Sequence, residues 1–404
     1  MRSLVKRLLP LMTVLLLLPL PAGAADNDMD AVLQELKALK AKVMELEKRL
    51  AETEAKPAPA MAPASGDKAS ISAQEPGEAA KGLISDLDKR LKIYGEVQAW
   101  GLYEGRDRKS EKRKTTRSEF TLRKADLFVE AQINDYTKGL IHLIWEQDKT
   151  EPVDLDEGYI LVGQTNDMPF YALAGRMYPA IGSFESFLIT DTITKEIYET
   201  QASALEVGYK SDVVSFGVAG FRGQIKESAD GADERLNGYF VYAGVATPEG
   251  FLGDLKLSGQ LGYMNNASSG FFRDEVTNSV LTDLVGAWSA QFKAEYGIFA
   301  LVGEYIRSTD SYKAGELGFA PADAQPQPFA FNVEAAVMPW EKWVFAVRYE
   351  GAGDVYDRQP ERQWGVGAQW EFLKDTTLGL EYMRGDYQNE DTRDRITTQI
   401  AVKF

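Results

Sequence analysis

The chain has 404 residues, a formal net charge of −16 at pH 7, no cysteine and a single histidine, His142. The acidic balance argues against nucleic acid as a partner, and the lack of cysteine excludes disulfides and thiolate chemistry. One histidine is a poor supply for a metal cluster or for histidine-based catalysis, so we expect no enzyme activity, no cofactor and no metal.

Residues 1–24 are typical of a secretory signal peptide. MRSLVKR is a positively charged segment, LLPLMTVLLLLPLP is apolar, and AGA before Ala25 is a small-residue cleavage site. A membrane anchor is the alternative, but the apolar run is short and contains proline. The sequence therefore predicts export and removal of this segment.

Residues 25–55 are predicted to form a periplasmic coiled coil. Apolar residues recur at alternating spacings of three and four between Met29 and Leu50, which is the heptad pattern. A single amphipathic helix packed on its own protein is the alternative. The seam mixes Leu and Val, which does not fix the number of chains, and a homotrimer fits it. Residues 56–90 read as a Pro/Ala-rich linker.

Residues 91–404 are predicted to form an all-β transmembrane antiparallel β-barrel of about 16 strands. Apolar and polar residues alternate along most segments, as in strands with one apolar face. Long loops, at 104–117, 178–200, 226–236, 265–283, 310–327, 354–362 and 386–393, alternate with tight turns, which is typical of outer-membrane barrels. The predicted strand starts lie near 92, 118, 139, 153, 169, 201, 212, 237, 254, 284, 298, 328, 342, 363, 375 and 394.

The last segment, ITTQIAVKF, is predicted to close the barrel. Ile396, Ile400, Val402 and Phe404 fall on one side of an extended strand. Pairing with the first strand would leave no apolar edge. The terminal aromatic Phe404 resembles the signal read by barrel-assembly machinery, which that resemblance implies as a partner.

A 16-strand barrel is expected to enclose a water-filled lumen. Alternation assigns charges of both signs to the inner face, with acids in the majority, which favours a wide polar conduit over a phosphate-selective ladder of bases. The assigned residues are Lys124, Arg176, Lys256, Lys293, Arg348, Arg395 and Lys403, and Asp126, Glu130, Glu146, Glu206, Glu295, Glu304, Glu334, Glu350, Glu371 and Glu381.

Two predicted loops are unusual. The first carries seven basic residues that would attract anions, either an anionic ligand or the phosphates of lipopolysaccharide, with the second favoured. They are Arg106, Arg108, Lys109, Lys112, Arg113, Lys114 and Arg117. The loop at 178–200 contains apolar residues, including Phe184 and Leu188, and either folds into the lumen or forms a lid packed on its neighbours.

His142 is predicted to face inward in a structural role. Two acidic clusters, one at 154–157 and one at 386–391, offer carboxylates to Ca²⁺. The twelve-residue calcium-loop pattern is absent, so we interpret both as solvated acid.

The stretch DEGYILVGQTNDMPFYALAGRMYPAIGSFESFLITDTITKEIYET resembles the LbtU-type siderophore porins. The matching features are AGR, Y, G and FE at 174–185, ITD and T at 189–194, and ET at 199–200, together with the N-terminal coiled-coil type of helix. The resemblance implies a Gram-negative outer-membrane barrel for a ferric siderophore, without a plug domain. By motif position, Arg176 and Glu185 join Lys124, Asp126 and Arg348 as candidate substrate or pore residues.

The sequence thus predicts a porin-like channel, passive or facilitated, for a siderophore or a similar small hydrophilic solute. It would contact membrane lipid and lipopolysaccharide, with the coiled coil in the periplasm. The alternatives are a phosphate-selective or general-diffusion porin and a structural protein that tethers the outer membrane to the cell wall.

Overall fold

The computed structural model describes residues 90–109, 111–147, 150–228 and 235–404. The predicted signal peptide, coiled coil and nearly all of the linker lie outside the described residues. Among the described residues, no helix has the length and apolar character needed to cross a membrane.

Sixteen of the strands in the described residues close into one antiparallel barrel, and the two short strands β8 and β11 pair with each other as a separate two-stranded sheet. The strands are β1 Leu91–Arg108, β2 Arg113–Asn134, β3 Thr137–Glu146, β4 Thr150–Gly163, β5 Phe170–Met177, β6 Ala202–Lys210, β7 Val214–Phe221, β8 Lys226–Glu227, β9 Gly238–Ala246, β10 Leu255–Met264, β11 Val280–Leu281, β12 Ala287–Tyr296, β13 Phe299–Ser308, β14 Phe329–Trp340, β15 Trp343–Gly353, β16 Arg362–Leu373, β17 Thr376–Asp386 and β18 Thr392–Lys403.

The barrel closes between its first and last strands, as predicted. β1 and β18 are antiparallel, with Glu96 opposite Lys403 and Asp107 opposite Thr392. Beyond them, Gly95 and Phe404 exchange backbone hydrogen bonds of 3.0 Å. Each predicted strand start lies within five residues of the observed one, so the sixteen-strand count is confirmed.

The connections divide between two rims. The longest ones, residues 178–201, 222–237, 265–286 and 309–328, share one rim, here called the long-loop rim. The prediction of a long loop at 104–117 was wrong, because β1 and β2 extend through most of this segment and leave only residues 109–112 as a turn. Opposite charges stabilise this extension across the hairpin, where Lys114 Nζ lies 3.3 Å from Asp107.

The outer face of the barrel is apolar. In β18, Ile396, Ile400 and Val402 are exposed, whereas Thr397 and Ala401 between them are buried on the inner side. Alternation of this kind gives each strand an apolar outer face and a mixed inner face.

The barrel interior is only partly open, unlike the expected water-filled lumen. Residues 178–201 enter it, and their one helix, α1 (Ile193–Tyr198), packs against β13, β14 and β15. A hydrophobic core joins α1, the long-loop-rim segments and inward side chains of the wall. Among its fully buried members are Tyr198, Phe272 and Tyr312. The apolar residues of the long loops therefore form a packed core inside the barrel.

Candidate functional site

Residues 178–201, here called the inserted loop, are held against the far wall of the barrel by inward-facing carboxylates. These glutamates, on β13, β14, β15 and β17, accept hydrogen bonds from backbone N–H groups of the loop. The bonds run from Ser183 N to Glu304 Oε1 (2.9 Å), from Phe187 N to Glu334 Oε1 (2.5 Å), from Ile189 N to Glu381 Oε2 (2.8 Å) and from Ile193 N to Glu350 Oε2 (2.7 Å). The loop thus folds into the lumen and is not an outer lid.

Arg348 on β15 joins this loop to the wall. Its side chain is fully buried, at 0% exposure, and its guanidinium lies 2.8 Å from Glu334 and 3.4 Å from Glu350. It also donates to the carbonyls of Thr190 (2.9 Å) and Asp191 (3.2 Å). The candidate pore residue Arg348 therefore lies beneath the inserted loop and not at the lumen surface.

Helix α1 places a lysine on the open side of the loop. Thr192 caps the helix by accepting a 3.2 Å hydrogen bond from Lys195 N. At the other end, the buried Tyr198 hydroxyl donates to the Pro328 carbonyl at 2.6 Å. With both ends held, Lys195 projects into the space between the helix and the β1–β4 wall, where it lines a cavity.

Two polar cavities have Lys195 in their lining. One, of about 310 Å³, reaches the long-loop-rim segment at Ser269 and Arg273. The other, of about 290 Å³, reaches the wall at Lys124 and His142. Both are lined by Tyr178, Asp191, Lys195 and Glu199. The two cavities are here called, together, the passage: the wall-side one lies between the inserted loop and the β1–β4 wall, and the other lies between the inserted loop and the segment around Ser269 and Arg273.

The passage carries charges of both signs. Lys195 Nζ lies 2.9 Å from Asp191 and 3.9 Å from Glu199. Burial alone would lower the pKa of Lys195, but these two carboxylates raise it above its ordinary value, so the lysine stays cationic at neutral pH. The other charged lining residues of the wall-side cavity are Arg123, Lys124, Glu146 and Asp156. This mixture favours weak ion selectivity.

Lys124 and Asp126, two of the candidate pore residues, lie side by side in β2. Lys124 Nζ is 2.7 Å from Asp126 Oδ2, and Asp126 Oδ1 is 2.9 Å from His142 Nε2 on β3. His142 Nδ1 in turn lies 2.9 Å from Asp156 Oδ2 on β4. The sequence placed His142 and Asp126 on the inner face, but their convergence with Asp156 depends on strand register, which alternation does not reveal.

The two residues chosen from the motif, Arg176 and Glu185, do not line the wall-side cavity. Arg176, next to the end of β5, is 3.5 Å from Asp154 and donates to the Gln201 side chain. Glu185, in the inserted loop, is 2.9 Å from Lys293 on β12 and lines a separate cavity of about 460 Å³ that reaches the 211–213 turn. Arg176 thus contacts the cluster of Lys124 and Asp126 only indirectly, because Gln201 also donates to Asp156 at 3.0 Å, whereas Glu185 lines a different cavity.

The seven basic residues predicted as an anion-attracting loop lie at the tip of the β1–β2 hairpin, and acidic residues pair with most of them. The ion pairs are Arg106–Asp391 (3.8 Å), Arg108–Glu111 (3.1 Å), Lys109–Asp107 (3.7 Å), Lys114–Asp107 (3.3 Å) and Arg117–Glu119 (2.7 Å). The turn also holds Lys112, and Arg113 begins β2. The local excess of positive charge is therefore smaller than the count of seven basic residues suggests.

The chain is similar in sequence to UPF0422 proteins of two Gram-negative bacteria. It is 22% identical over 276 residues to the protein of Coxiella burnetii and 22% identical over 297 residues to that of Legionella pneumophila. The matches cover 64% and 66% of this chain, and 56% and 54% of the relatives. The chain thus spans about half the length of the curated relatives it matches. No family model matches the chain.

The fold is similar to that of solved porins. The anion-selective porin from Comamonas acidovorans superimposes with a TM-score of 0.52 at 12% identity, over 78% of this chain and 99% of that one. Salmonella typhi OmpF in complex with daunomycin gives 0.51 at 13% identity, over 78% and 97%. The described residues therefore adopt a porin-type barrel fold.

Proposed function

We propose that this chain is an outer-membrane channel for small hydrophilic solutes. The observation that carries the proposal is the passage, two polar cavities beside the inserted loop that share Lys195 in their lining. A closed barrel with an apolar outer face satisfies its backbone within lipid, and a charged, hydrated path beside a packed loop is suited to polar solutes.

Within this class, we propose a siderophore as the solute, taken up passively or by facilitated diffusion. The support is the resemblance of the inserted-loop sequence to siderophore porins, since this loop forms one side of the passage. The wall-side cavity of about 290 Å³ is at the lower end of the range for small-molecule sites, roughly 300–1,000 Å³. A bulky ferric siderophore therefore requires the inserted loop to shift.

A general-diffusion or phosphate-selective porin is the alternative within transport. The bases Arg123, Lys124 and Lys195 supply positive charge to the wall-side cavity, but acids line it as well, namely Glu146, Asp156, Asp191 and Glu199. Phosphate selectivity calls for a run of bases, so the mixed lining favours general diffusion of the two. We propose no enzymatic role, because the side chains at hydrogen-bond or ion-pair distance from the His142 ring are carboxylates.

Conductance in planar bilayers tests the channel. Purified full-length protein is expected to give discrete current steps with weak ion selectivity. Lys195→Glu should shift the permeability ratio toward cations by at least about fivefold, because it changes the charge by two units and a single unit charge close to the ion path is worth about 1 kcal/mol even in water. The matched control Lys374→Glu, in a turn of the opposite rim, should leave the ratio unchanged.

The outcomes separate the alternatives. Absence of current steps would contradict the channel proposal and favour a tethering role for the chain. Strong anion preference in the unaltered protein would favour a phosphate porin. Comparing ferric siderophore uptake in a deletion strain with and without the gene tests the solute. Unchanged uptake alongside intact channel activity would reject the siderophore and leave the channel standing.

A further inference from the structure

His142 directs one ring nitrogen at two carboxylates. The side chain is only 8% exposed, Asp156 Oδ2 lies at ion-pair distance, 2.9 Å from Nδ1, and Glu157 Oε2 lies 4.0 Å from it. Nδ1 nevertheless makes no well-aligned hydrogen bond within the described residues. A buried ring nitrogen that faces two carboxylates without good hydrogen-bond geometry to either requires an explanation.

A β-bulge brings the two carboxylates together. The register between β3 and β4 shifts after His142, which faces Glu157, while Leu143 faces Leu155. Asp156 is the extra residue, so consecutive side chains converge on His142 instead of alternating between faces. Three potential ligand atoms, one each from His142, Asp156 and Glu157, consequently lie within 4.8 Å of one another.

Other residues fix the orientation of these groups. Asp126 Oδ1 pairs with His142 Nε2 at 2.9 Å, and the Phe128 ring stacks on the imidazole with centroids 3.9 Å apart. The remaining oxygen of Asp156, Oδ1, accepts from Tyr178 (2.6 Å) and Gln201 (3.0 Å), which leaves Oδ2 directed at His142. A carboxylate on the far nitrogen of a histidine, and donors behind a ligating carboxylate, are the usual outer shell of a metal site.

We propose that His142 Nδ1, Asp156 and Glu157 bind one divalent transition-metal ion of the Zn²⁺ class in the wall of the passage. Tetrahedral bonds of about 2.0–2.1 Å place ligand atoms roughly 3.3 Å apart, and the separations of 2.9 and 4.0 Å from Nδ1 bracket that value. Because His142 and Asp156 line the wall-side cavity, the fourth position opens to water or solute.

Charge and ligand type narrow the choice of ion. Asp126, Asp156 and Glu157 surround His142, and Lys124 pairs with Asp126, so two carboxylates remain for a doubly charged cation. The hard ions Ca²⁺ and Mg²⁺ prefer all-oxygen sites with more ligands, whereas one imidazole and two carboxylates suit Zn²⁺ and its neighbours. The sequence led us to expect no metal. The proposed site differs from that expectation because a β-bulge, and not a sequence motif, brings the ligands together.

Calorimetry with ZnCl₂ on the full-length protein in detergent tests the site. We expect one Zn²⁺ per chain, at least tenfold weaker binding in His142→Gln, and a 10- to 100-fold loss of affinity in Asp126→Asn, which removes only the outer-shell carboxylate. The matched control Asp154→Asn alters a carboxylate that pairs with Arg176 on the neighbouring strand, and it should bind Zn²⁺ as the unaltered protein does. Circular dichroism verifies that each variant is folded.

The proposal fails if the unaltered protein takes up no stoichiometric Zn²⁺, or if folded His142→Gln binds it equally well. Either result would make the cluster an ion pair only. Equal affinity for Ca²⁺ would also overturn it, because the imidazole would then contribute nothing. This readout requires no ion conduction, so its failure is distinct from failure of the channel.

Discussion

Arg348 shows how a single buried charge can position the inserted loop. Its guanidinium forms ion pairs with both Glu334 and Glu350, whose side chains are fully buried with it. Those two glutamates also accept hydrogen bonds from the backbone N–H groups of Phe187 and Ile193 in the loop. The same charge cluster therefore joins the wall to the loop. Buried carboxylates are tolerated only when such partners are present.

Arg348→Ala is therefore expected to free the inserted loop. It leaves two buried carboxylates without their cation, which costs about 3–5 kcal/mol, and detaching the loop lets water reach them. Thermal unfolding in detergent should show a lower midpoint, and single-channel recordings should show larger and noisier currents.

The matched control is Arg384→Ala on β17. Arg384 pairs with Asp394 at 3.1 Å, but both side chains are 42% exposed, and an exposed pair contributes about 0–1 kcal/mol. Its midpoint and current should stay close to those of the unaltered protein. Equal effects of the two substitutions would contradict the anchoring role of Arg348.

The inserted loop also depends on glycines in the strands that face it. A Cβ added at Gly367 on β16 would lie 2.7 Å from Leu188 Cδ2, and one at Gly379 on β17 would lie 2.8 Å from Ile189 Cδ1. Leu188 additionally packs in a cluster with Ala336, Ala346 and Met383. Small wall residues therefore let two apolar loop side chains lie directly on the backbone of the barrel.

Gly367→Val is expected to push the loop away from β16. Overpacking of this kind costs about 1–3 kcal/mol, seen as a lower unfolding midpoint. Gly139→Val is the control, because a Cβ at Gly139 has no neighbour within 4 Å. If Gly139→Val destabilises the barrel as much as Gly367→Val, the loss reflects a general cost of valine in these strands and not contact with Leu188.

The strands could be predicted because a closed barrel with an apolar outer face imposes a period of two on nearly every segment. The extended strands at the hairpin tip could not be predicted, because a segment so rich in charge resembles a solvated loop. The structure shows that Asp107 lies opposite Lys114 across the hairpin. The inward position of Arg348 followed from alternation, but its burial depends on a loop that returns from β5. The convergence of His142 with Asp156 depends on a bulge, which leaves no periodic signal.

At the scale of the whole molecule, charge is distributed unevenly. The chain has a net charge of −16, yet the β1–β2 hairpin tip on the long-loop rim concentrates basic residues, with Lys114 82% exposed. We propose that this tip attracts phosphate-bearing lipid headgroups at short range, because at 0.1 M salt the Debye length is only about 10 Å. The bulk acidity of the protein is therefore screened at this tip.

Neutralising the tip should weaken binding to lipopolysaccharide. Each basic residue near an anionic surface contributes about 1 kcal/mol, so Lys112→Gln with Lys114→Gln should raise the dissociation constant about 30-fold, and added salt should shrink the difference. Titration of lipopolysaccharide into detergent-solubilised protein measures it. The control pair, Lys342→Gln with Lys374→Gln, removes the same charge from turns on the opposite rim. An equal loss in both pairs would mean that net charge, and not the hairpin tip, attracts the lipid.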